Sequence, residues 1–289
     1  MIPLKTLLPL TATTMLLFPV HLRSAPIPED CLTGGFAIGC QAYTFNHFTL
    51  FEAIDMTAAA GGKIIELPTG QKLSQAEPNV NFDHNASDDV LDKVKAKLAQ
   101  CHVRAVNYGV IGIPKDEAGA RKIFDFAKKM ELYALTTESV DAMDTIEKLV
   151  KEYDIRVAIH NHPRQPNNPN YKVWDPNYVL SVVKDRDPRI GSGADTGHWL
   201  RSGLKPVECL RILQGRIVSS HLKDLNQMAP EGHDVPFGTG VADIPGILDE
   251  LKHQGFVGDL AIEYEYHWTT SLPEVAQCVG FIRGYGAKK

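Results

Sequence analysis

The sequence predicts an α/β protein built as one (β/α)8 TIM barrel. Short apolar runs alternate with amphipathic stretches eight times between residues 36 and 286. Strands that alternate with helices in this way form parallel sheets with right-handed crossovers. Eight such units in about 250 residues are typical of a closed barrel. The chain of 289 residues is also long enough to bury a full core without disulfide bonds.

Each unit begins with a short strand of mainly apolar residues. The stretch that follows has apolar residues at helical spacing, and one of these helices begins at the cap-like Asp141. The expected strand and helix of each unit, in order, are 36–43 and 50–60, 63–67 and 88–100, 103–110 and 116–130, 133–137 and 141–153, 156–160 and 177–184, 190–195 and 206–213, 217–221 and 244–254, and 258–263 and 272–285.

An open doubly wound sheet is the alternative arrangement of the same units. That fold carries a glycine-rich phosphate-binding turn after its first strand. The first strand here is followed by Gln41-Ala42-Tyr43-Thr44-Phe45-Asn46, which contains no glycine. The sequence shows no linker or shift of composition within the core. We therefore expect a short linker at residues 26–35 and a single barrel domain at residues 36–286.

Residues 1–25 are expected to form a signal peptide. Lys5 precedes a mainly apolar run over residues 7–20, and small residues follow at Ser24 and Ala25, which is the order of a secretory signal. An uncleaved anchor is the alternative, but the run is short and contains proline, so it fits a membrane span poorly. We expect export to the periplasm or the extracellular space, with no membrane insertion of the mature chain.

Composition and charge argue against several classes of partner. The chain has 30 Lys and Arg against 35 Asp and Glu, a net charge of −5, and no basic stripe, so we expect no nucleic-acid partner. Its 5 cysteines are odd in number and include no C-x-x-C pair. This pattern excludes a disulfide framework or a zinc ribbon, and buried free thiols are expected instead.

Polar residues at the ends of the last four strands form a candidate metal site. The carboxyl ends of the strands carry the chemistry of a TIM barrel, and here they present His160, Asp195, His221 and Glu263. Two imidazoles and two carboxylates can bind a divalent cation and leave positions open for substrate. Each residue alone could be structural, as a hydrogen-bonded histidine or a helix cap. Their coincidence on four adjacent strands favours the metal site.

Five further residues are candidate substrate contacts. His162 and Glu265 each lie two positions beyond a candidate ligand and so point the same way if the strand continues. His198 follows Asp195 by three residues, within reach of a substrate. Tyr108 stands at an early strand end, and Trp199 lies in a strand-end loop where an aromatic ring can stack on a sugar.

Lys223 lies two residues beyond His221 and is a candidate acid or base, because a lysine near a metal can have a lowered pKa. A surface ion pair with Asp224 is the alternative reading. The long Pro- and Asn-rich loop at residues 163–175 is a candidate lid over the site; the alternative is an ordinary surface loop.

Several motifs together resemble those of the xylose-isomerase-like TIM barrels, the sugar isomerase/epimerase and AP-endonuclease-type family. These motifs are D-x-x-H at Asp195–His198, H-x-K-D at His221–Asp224, the segment FGTGVAD at 237–243 and the strand LAIEYE at 260–265. The resemblance covers about residues 36–286. It implies a divalent cation (Mn²⁺, Mg²⁺, Co²⁺ or Zn²⁺) held by Glu, Asp, His and Glu, which here become His160, Asp195, His221 and Glu263.

The first of these ligand positions departs from the family pattern. Where E-N-H is usual, this chain has His160-Asn161-His162. The change removes a negative charge and favours Mn²⁺, Co²⁺ or Zn²⁺ over Mg²⁺. It also removes one of the two glutamates that trade a proton in the family's epimerases. Glu263 remains, and Glu138, at the end of the fourth strand, is the candidate replacement.

The resemblance implies a metal-dependent sugar isomerase or epimerase that acts through an enediolate on a keto sugar or keto-glycoside, with Glu263 or Lys223 moving the proton. Three alternatives stay open. One is β-elimination from a 3-keto-glycoside by a lyase or dehydratase. Another is a nuclease-like member, which the acidic balance and the export signal argue against. The last is a secreted barrel that only binds sugar. A homo-oligomer, common in the family, is also left open.

Overall fold

Eight parallel strands, with helices packed around them, form the centre of the computed structural model, which describes residues 26–287. The expected TIM barrel is therefore confirmed. The predicted signal peptide, residues 1–25, lies outside the described residues. Within residues 26–287, no helix combines the length and the apolar character needed to cross a membrane.

The chain contains short strands and helices in alternation, with a few additions between the barrel units. The strands are Leu32–Thr33 (β1), Phe36–Gln41 (β2), Ile64–Leu67 (β3), Gln71–Ser74 (β4), Glu77–Phe82 (β5), Arg104–Tyr108 (β6), Ala134–Thr137 (β7), Arg156–His160 (β8), Ile190–Asp195 (β9), Ile217–Leu222 (β10), Asp224–Leu225 (β11), Asp234–Val235 (β12) and Asp259–Ile262 (β13). The helices are Leu50–Ala59 (α1), Asp88–Cys101 (α2), Glu117–Lys129 (α3), Met143–Tyr153 (α4), Pro176–Val183 (α5), Thr196–Arg201 (α6), Pro206–Ile212 (α7), Ile244–His253 (α8) and Leu272–Ala287 (α9).

The barrel strands follow one another in the order β6, β3, β2, β13, β10, β9, β8 and β7, and each neighbouring pair is parallel. The two end strands, β6 and β7, come together where the Tyr133 amide donates to the Val106 carbonyl at 2.8 Å. The barrel is thus nearly closed, and the strand ends that carry candidate residues all open on the same rim.

The sequence pattern places the barrel units correctly but misses three antiparallel pairs and one short helix. The pairs β4–β5 and β11–β12 lie in the loops after β3 and β10, and β1, within the expected linker, pairs with the start of β2. The first strand also ends at Gln41, earlier than expected, because the Gln41 side chain accepts from the Tyr43 amide and starts a 3-10 turn. Helix α6 begins directly after β9, since the Asp195 side chain accepts from the His198 amide at 2.7 Å.

Beneath the rim the barrel interior is mainly apolar, with one acidic exception. Side chains alternate along a strand, so Ala158 shares the face of His160 and Asp259 shares the face of Glu263. Both carboxylate oxygens of Asp259 are buried without a hydrogen-bond partner among the described residues. Burial and the nearby Glu66 carboxylate raise the pKa of Asp259 to about 7.

Replacing Asp259 with asparagine is expected to stabilise the protein at pH 8 by about 4 kcal/mol and to have little effect at pH 4. The pKa of Asp259 in the folded protein, about 7, lies above its ordinary value of 3.8. The stability gained from the proton is therefore complete below pH 3.8 and is lost as the pH rises to 7, whereas the amide has no charge to bury. Urea unfolding of both proteins across this range measures the difference. If the free energy of unfolding changed with pH equally in the parent and in Asp259→Asn, the raised pKa of Asp259 would be contradicted.

Candidate metal centre

Four side chains from adjacent strand ends converge on one side of the barrel rim. His160 ends β8, Asp195 ends β9, His221 lies opposite Asp195 on β10, and Glu263 directly follows β13. All four are buried, Glu263 the least at 7% exposure. Ligand atoms of His160, Asp195 and His221 lie within 4.8 Å of one another, and Glu263 Oε2 lies 3.2 Å from His221 Nδ1. The predicted ligands therefore share one site.

Glu66, at the end of β3, orients His221 from the far side. Glu66 Oε2 accepts from His221 Nε2 at 2.9 Å, because an ionised carboxylate only accepts. The other ring nitrogen, Nδ1, then faces the carboxylates of Glu263 and Asp195 at 3.2 and 3.8 Å. Burial opposes a charge on His221, but Glu66 and Glu263 raise its pKa well above the usual value. A divalent cation would take the place of the Nδ1 proton.

A buried nitrogen of this site, His160 Nδ1, has no hydrogen-bond partner among the described residues, and buried polar atoms are rarely left unsatisfied without a reason. Burial, together with the neighbouring imidazoles of His221 and His162, holds the pKa of His160 well below its usual value, so this imidazole is neutral and can act as a ligand. The residues present therefore fit a divalent cation.

Lys223 is fully buried among carboxylates. Its Nζ lies 3.1 Å from Asp195 Oδ2, 2.7 Å from Glu263 Oε2 and 2.8 Å from Glu265 Oε2. Burial alone would lower the pKa of Lys223, but these carboxylates raise it well above the usual value. These carboxylates therefore favour the protonated ammonium over the neutral amine that a base would need. The alternative surface pair with Asp224 is also absent from the described contacts of Lys223.

His198 lies between two cations beside the same site. Arg201 Nη1 is 3.1 Å from His198 Nδ1 and Lys223 Nζ is 3.4 Å from its Nε2, and neither cation can accept a hydrogen bond. Burial and the Lys223 ammonium hold the pKa of His198 well below its usual value. The ring is therefore neutral, and its Nε2 also lies 3.7 Å from Asp195 Oδ2.

Glu138 stands behind His162 instead of facing the cavity directly. Glu138 Oε1 accepts from His162 Nδ1 at 2.7 Å, from the His162 amide at 3.2 Å and from the Tyr171 hydroxyl at 2.6 Å. Tyr171 belongs to the long loop expected as a lid. Burial opposes the charged imidazole, but Glu138 raises the pKa of His162 above its usual value. The carboxylate thus fixes the ring and leaves Nε2 of His162 for other contacts.

A cavity of about 480 Å³ opens beside the candidate ligands, a volume within the range of small-molecule sites. One part of its wall is formed by the ionisable residues His162, Glu263 and Glu265. The other part comes from the ends of β2, β3 and β6 and carries neutral polar groups and an exposed aromatic ring. Its side chains include Gln41, Tyr43, Asn46, Thr69 and Gln71. None of the residues lining this cavity is lysine or arginine.

The fold and the site have relatives among known proteins. The model of the xylose isomerase-like TIM barrel family matches residues 134–284, just over half of the chain. The protein belongs to this family. The matched region runs from β7 to α9 and includes all four candidate metal ligands. No curated protein matches the chain significantly.

Three solved structures illustrate the likeness. An uncharacterized protein from Parabacteroides distasonis ATCC 8503 is 31% identical, with a TM-score of 0.68 over 86% of this chain and 98% of that chain. A D-tagatose 3-epimerase-like protein is 16% identical, with a TM-score of 0.66 over 86% and 96%. D-allulose 3-epimerase from Methylomonas sp., in complex with D-allulose, is 16% identical, with a TM-score of 0.64 over 86% and 96%. The last two share the fold with this chain.

The family's H-x-K-D and glycine-rich segments fold onto each other. The Asp224 carboxylate accepts from the amides of Gly238, Gly240 and Ala242 at 2.9, 3.0 and 2.9 Å. A Cβ at Gly240 would lie 2.3 Å from Asp224 Oδ1, so this approach requires glycine. Asp224 therefore shapes the loop after β10, and Lys223 beside it is free to point into the site.

Two residues expected to contact the substrate, Tyr108 and Trp199, lie away from the cavity. Tyr108 is fully buried, its ring centroid is 4.7 Å from that of Phe126 on α3, and its hydroxyl accepts from the His84 amide at 3.1 Å. Trp199 is also buried, at 1% exposure. The structure therefore places neither ring on the cavity wall. It does place Glu265 and His162 there. The structure also adds Glu66 behind His221, and its signal in the sequence was a carboxylate near the end of the apolar strand KIIEL.

Proposed function

We propose that this protein is a metal-dependent isomerase or epimerase that acts on a neutral keto sugar or keto-glycoside. One observation carries the proposal: a buried centre of two imidazoles and two carboxylates adjoins a cavity whose wall carries two groups able to move a proton, the candidate ligand Glu263 and the further residue His162. Membership of the xylose isomerase-like family supports it.

The residues that would hold the cation are His160, Asp195, His221 and Glu263. When bound, a divalent cation polarises the keto group and stabilises the charge of the enediolate. Because two of the four ligands are imidazoles, Mn²⁺, Co²⁺ or Zn²⁺ fits the set better than Mg²⁺. Glu66 holds His221 in the ring orientation that ligation needs, as carboxylates behind ligating histidines commonly do.

Two groups on the cavity wall can transfer the proton next to the carbonyl. Glu263 follows β13, whereas His162 follows β8, three strands further around the barrel. They therefore approach a bound sugar from different sides, as an epimerisation or a carbon-to-carbon proton shift requires. His162 takes the place expected for Glu138, which serves as its positioning residue. Lys223 stays charged throughout.

The cavity lining supports a substrate without phosphate. A phosphate group in such a pocket is usually paired with arginine, lysine or a helix N-terminus, and the lining contains neither cation. Amide and hydroxyl groups of Gln41, Asn46, Thr69 and Gln71 suit sugar hydroxyls instead. The proposed export of the chain agrees with this choice, since phosphorylated sugars are not expected outside the cytoplasm.

β-Elimination from a 3-keto-glycoside is the second candidate. Its first step is the same proton abstraction, and the second step expels the group on the neighbouring carbon. The neutral part of the cavity and the exposed ring of Tyr43, at 46% exposure, leave room for such a group. His162 would then donate a proton to the leaving oxygen.

Proton NMR in D2O tests the proposal. The purified protein is incubated with Mn²⁺ and a panel of free ketoses and 3-keto-glucosides, and the metal is removed before spectra are recorded. Solvent deuterium next to the carbonyl together with a new sugar is the expected result. Loss of the same proton with release of the aglycone would replace isomerisation by elimination. A metal-loaded protein that binds a panel sugar without any exchange would contradict both and leave a sugar-binding barrel.

Exchanging Glu138 for glutamine is expected to lower turnover by about 10- to 100-fold, the usual effect of losing a group that orients a reacting one. The amide no longer fixes the His162 proton on Nδ1, although it can still bond the Tyr171 hydroxyl. The expected loss is therefore in kcat, with KM nearly unchanged. Tyr171→Phe is the matched control and should lose less, because it removes the hydroxyl contacts to Glu138 and to the His162 amide but leaves the bond between Glu138 and His162 Nδ1. A Glu138→Gln variant with full kcat would contradict the role.

A further inference from the structure

The surroundings of Lys223 are those of a bound cation. Three carboxylate oxygens, from Asp195, Glu263 and Glu265, lie between 2.7 and 3.1 Å from its Nζ, and the side chain is completely buried. His198 Nε2 lies 3.4 Å from the same nitrogen. The ammonium is thus enclosed by potential metal ligands rather than paired with one of them.

The same residues coincide with a second place that could hold a metal. Ligand atoms of Asp195, His198 and Glu263 lie within 4.8 Å of one another. This group shares Asp195 with the first group, which also contains His160 and His221. Two neighbouring candidate positions therefore share the Asp195 carboxylate, as in two-metal sites, and Lys223 Nζ lies in one of them. A third group, His160, His162 and His198, contains no carboxylate.

We propose that the Lys223 ammonium is the permanent second cation of this centre, and that it limits the centre to one exchangeable divalent ion. This inference rests on the proposed metal centre and is independent of the reaction proposed for it. The first position, between His160, Asp195 and His221, is left for the metal.

The backbone and stem of Lys223 are fixed in place. The Lys223 amide donates to Thr196 Oγ1 at 2.8 Å, and that hydroxyl donates to the Lys223 carbonyl at 2.9 Å. Gly197 packs against the aliphatic stem, where a Cβ would lie 2.7 Å from Lys223 Cβ and Cδ. Because the ammonium is covalently attached to a side chain that is held in this way, it does not leave its position in exchange for a cation from solution.

The position that Lys223 fills is rich in oxygen ligands. The carboxylates of Asp195, Glu263 and Glu265 surround it, and His198 Nε2 is the one nitrogen among these groups. A set dominated by carboxylates and completed by an imidazole suits Mn²⁺, so Mn²⁺ is the probe for an opened second position.

Removing the ammonium tests the inference. The full protein, Lys223→Met and Lys223→Gln are stripped of metal, equilibrated with excess Mn²⁺ and desalted, and bound manganese is counted by mass spectrometry. We expect one Mn²⁺ per chain in the parent and two in both variants, with a spin-coupled manganese pair in their EPR spectra. Lys205→Met is the matched control, because the Lys205 side chain is 69% exposed and pairs with Glu208 at 3.5 Å. This control variant should bind one Mn²⁺ per chain.

Three results would overturn the inference. One is a folded Lys223→Met or Lys223→Gln protein that still binds one Mn²⁺. Another is a parent protein that binds two Mn²⁺ ions, a result that also decides the matter if the variants do not fold. The third is a variant that binds two Mn²⁺ ions without spin coupling, which would place the second ion elsewhere. A parent that binds none would instead contradict the proposed metal centre itself.

Discussion

Replacing His160 with alanine is expected to abolish stoichiometric metal binding and to lower turnover by about 10³-fold or more. His160 contributes a neutral imidazole to the group that it forms with Asp195 and His221. A cation acting on a carbonyl contributes several kcal/mol of transition-state stabilisation, and each 1.36 kcal/mol corresponds to a tenfold change in rate. Metal analysis and turnover, measured on the same preparation, report both effects.

The matched change is His160→Glu, which restores the residue usual at this position in the xylose isomerase-like family. Because it adds a carboxylate ligand, we expect metal binding to be kept and the preference to move towards Mg²⁺. A His160→Ala protein that retains one tightly bound ion and full turnover would remove His160 from the centre. A His160→Glu protein with an unchanged metal preference would contradict the reason given for the choice of metal.

Glu263→Gln is expected to lower turnover by about 10²- to 10⁴-fold, the contribution of a positioned acid or base. The amide can still offer an oxygen to a cation, but it cannot take a proton. Glu263 is also the ligand that lines the cavity, so the loss should fall on kcat while most of the bound metal is kept. Deuterium exchange from D2O into the substrate should fall in parallel with turnover.

Glu265→Gln is the control for Glu263, since Glu265 also lines the cavity and also contacts Lys223. It lies farther from the candidate ligands and is held by Arg201 at 2.8 Å, so we expect a smaller effect. If Glu263→Gln exchanged the proton at the parental rate, Glu263 would be a ligand only, and His162 would remain as the proton-transfer group.

The fold could be predicted because the strand and the helix of each barrel unit have recognisable patterns of apolar residues. A buried parallel strand is a short apolar run, and its helix repeats at 3.6 residues. The hairpin β4–β5 carries no such signal, since QKLS and EPNVNF are mostly polar and contain Pro78. It is a local addition to a loop and is stabilised by pairing across the turn.

The candidate ligands could be predicted because they stand on four consecutive barrel strands, whose ends must meet. The contact of Glu66 with His221 could not, because β3 and β10 are not neighbours and the two residues are 155 apart in the chain. Tyr108 was misplaced for a different reason. The register shift between β3 and β6 beside Glu66 changes which side chains face inward, and a single sequence does not reveal such a shift.

The charge state of Lys223 also depended on tertiary contacts. Its spacing from His221 suggested a side chain near the centre, and that placement agrees with the structure. The three carboxylates that enclose it come from β9 and from the segment after β13. Their combined effect on its pKa depends on distances that no sequence pattern gives.

A crystal structure of the Co²⁺-loaded protein, with anomalous diffraction measured at the cobalt edge, would locate the bound cation. We expect one strong peak per chain at bonding distance, about 2.0 to 2.2 Å, from side-chain atoms of His160, Asp195 and His221, with Glu263 beside it. A peak at other residues, or none after loading and confirmed folding, would contradict the metal centre and the chemistry proposed for it.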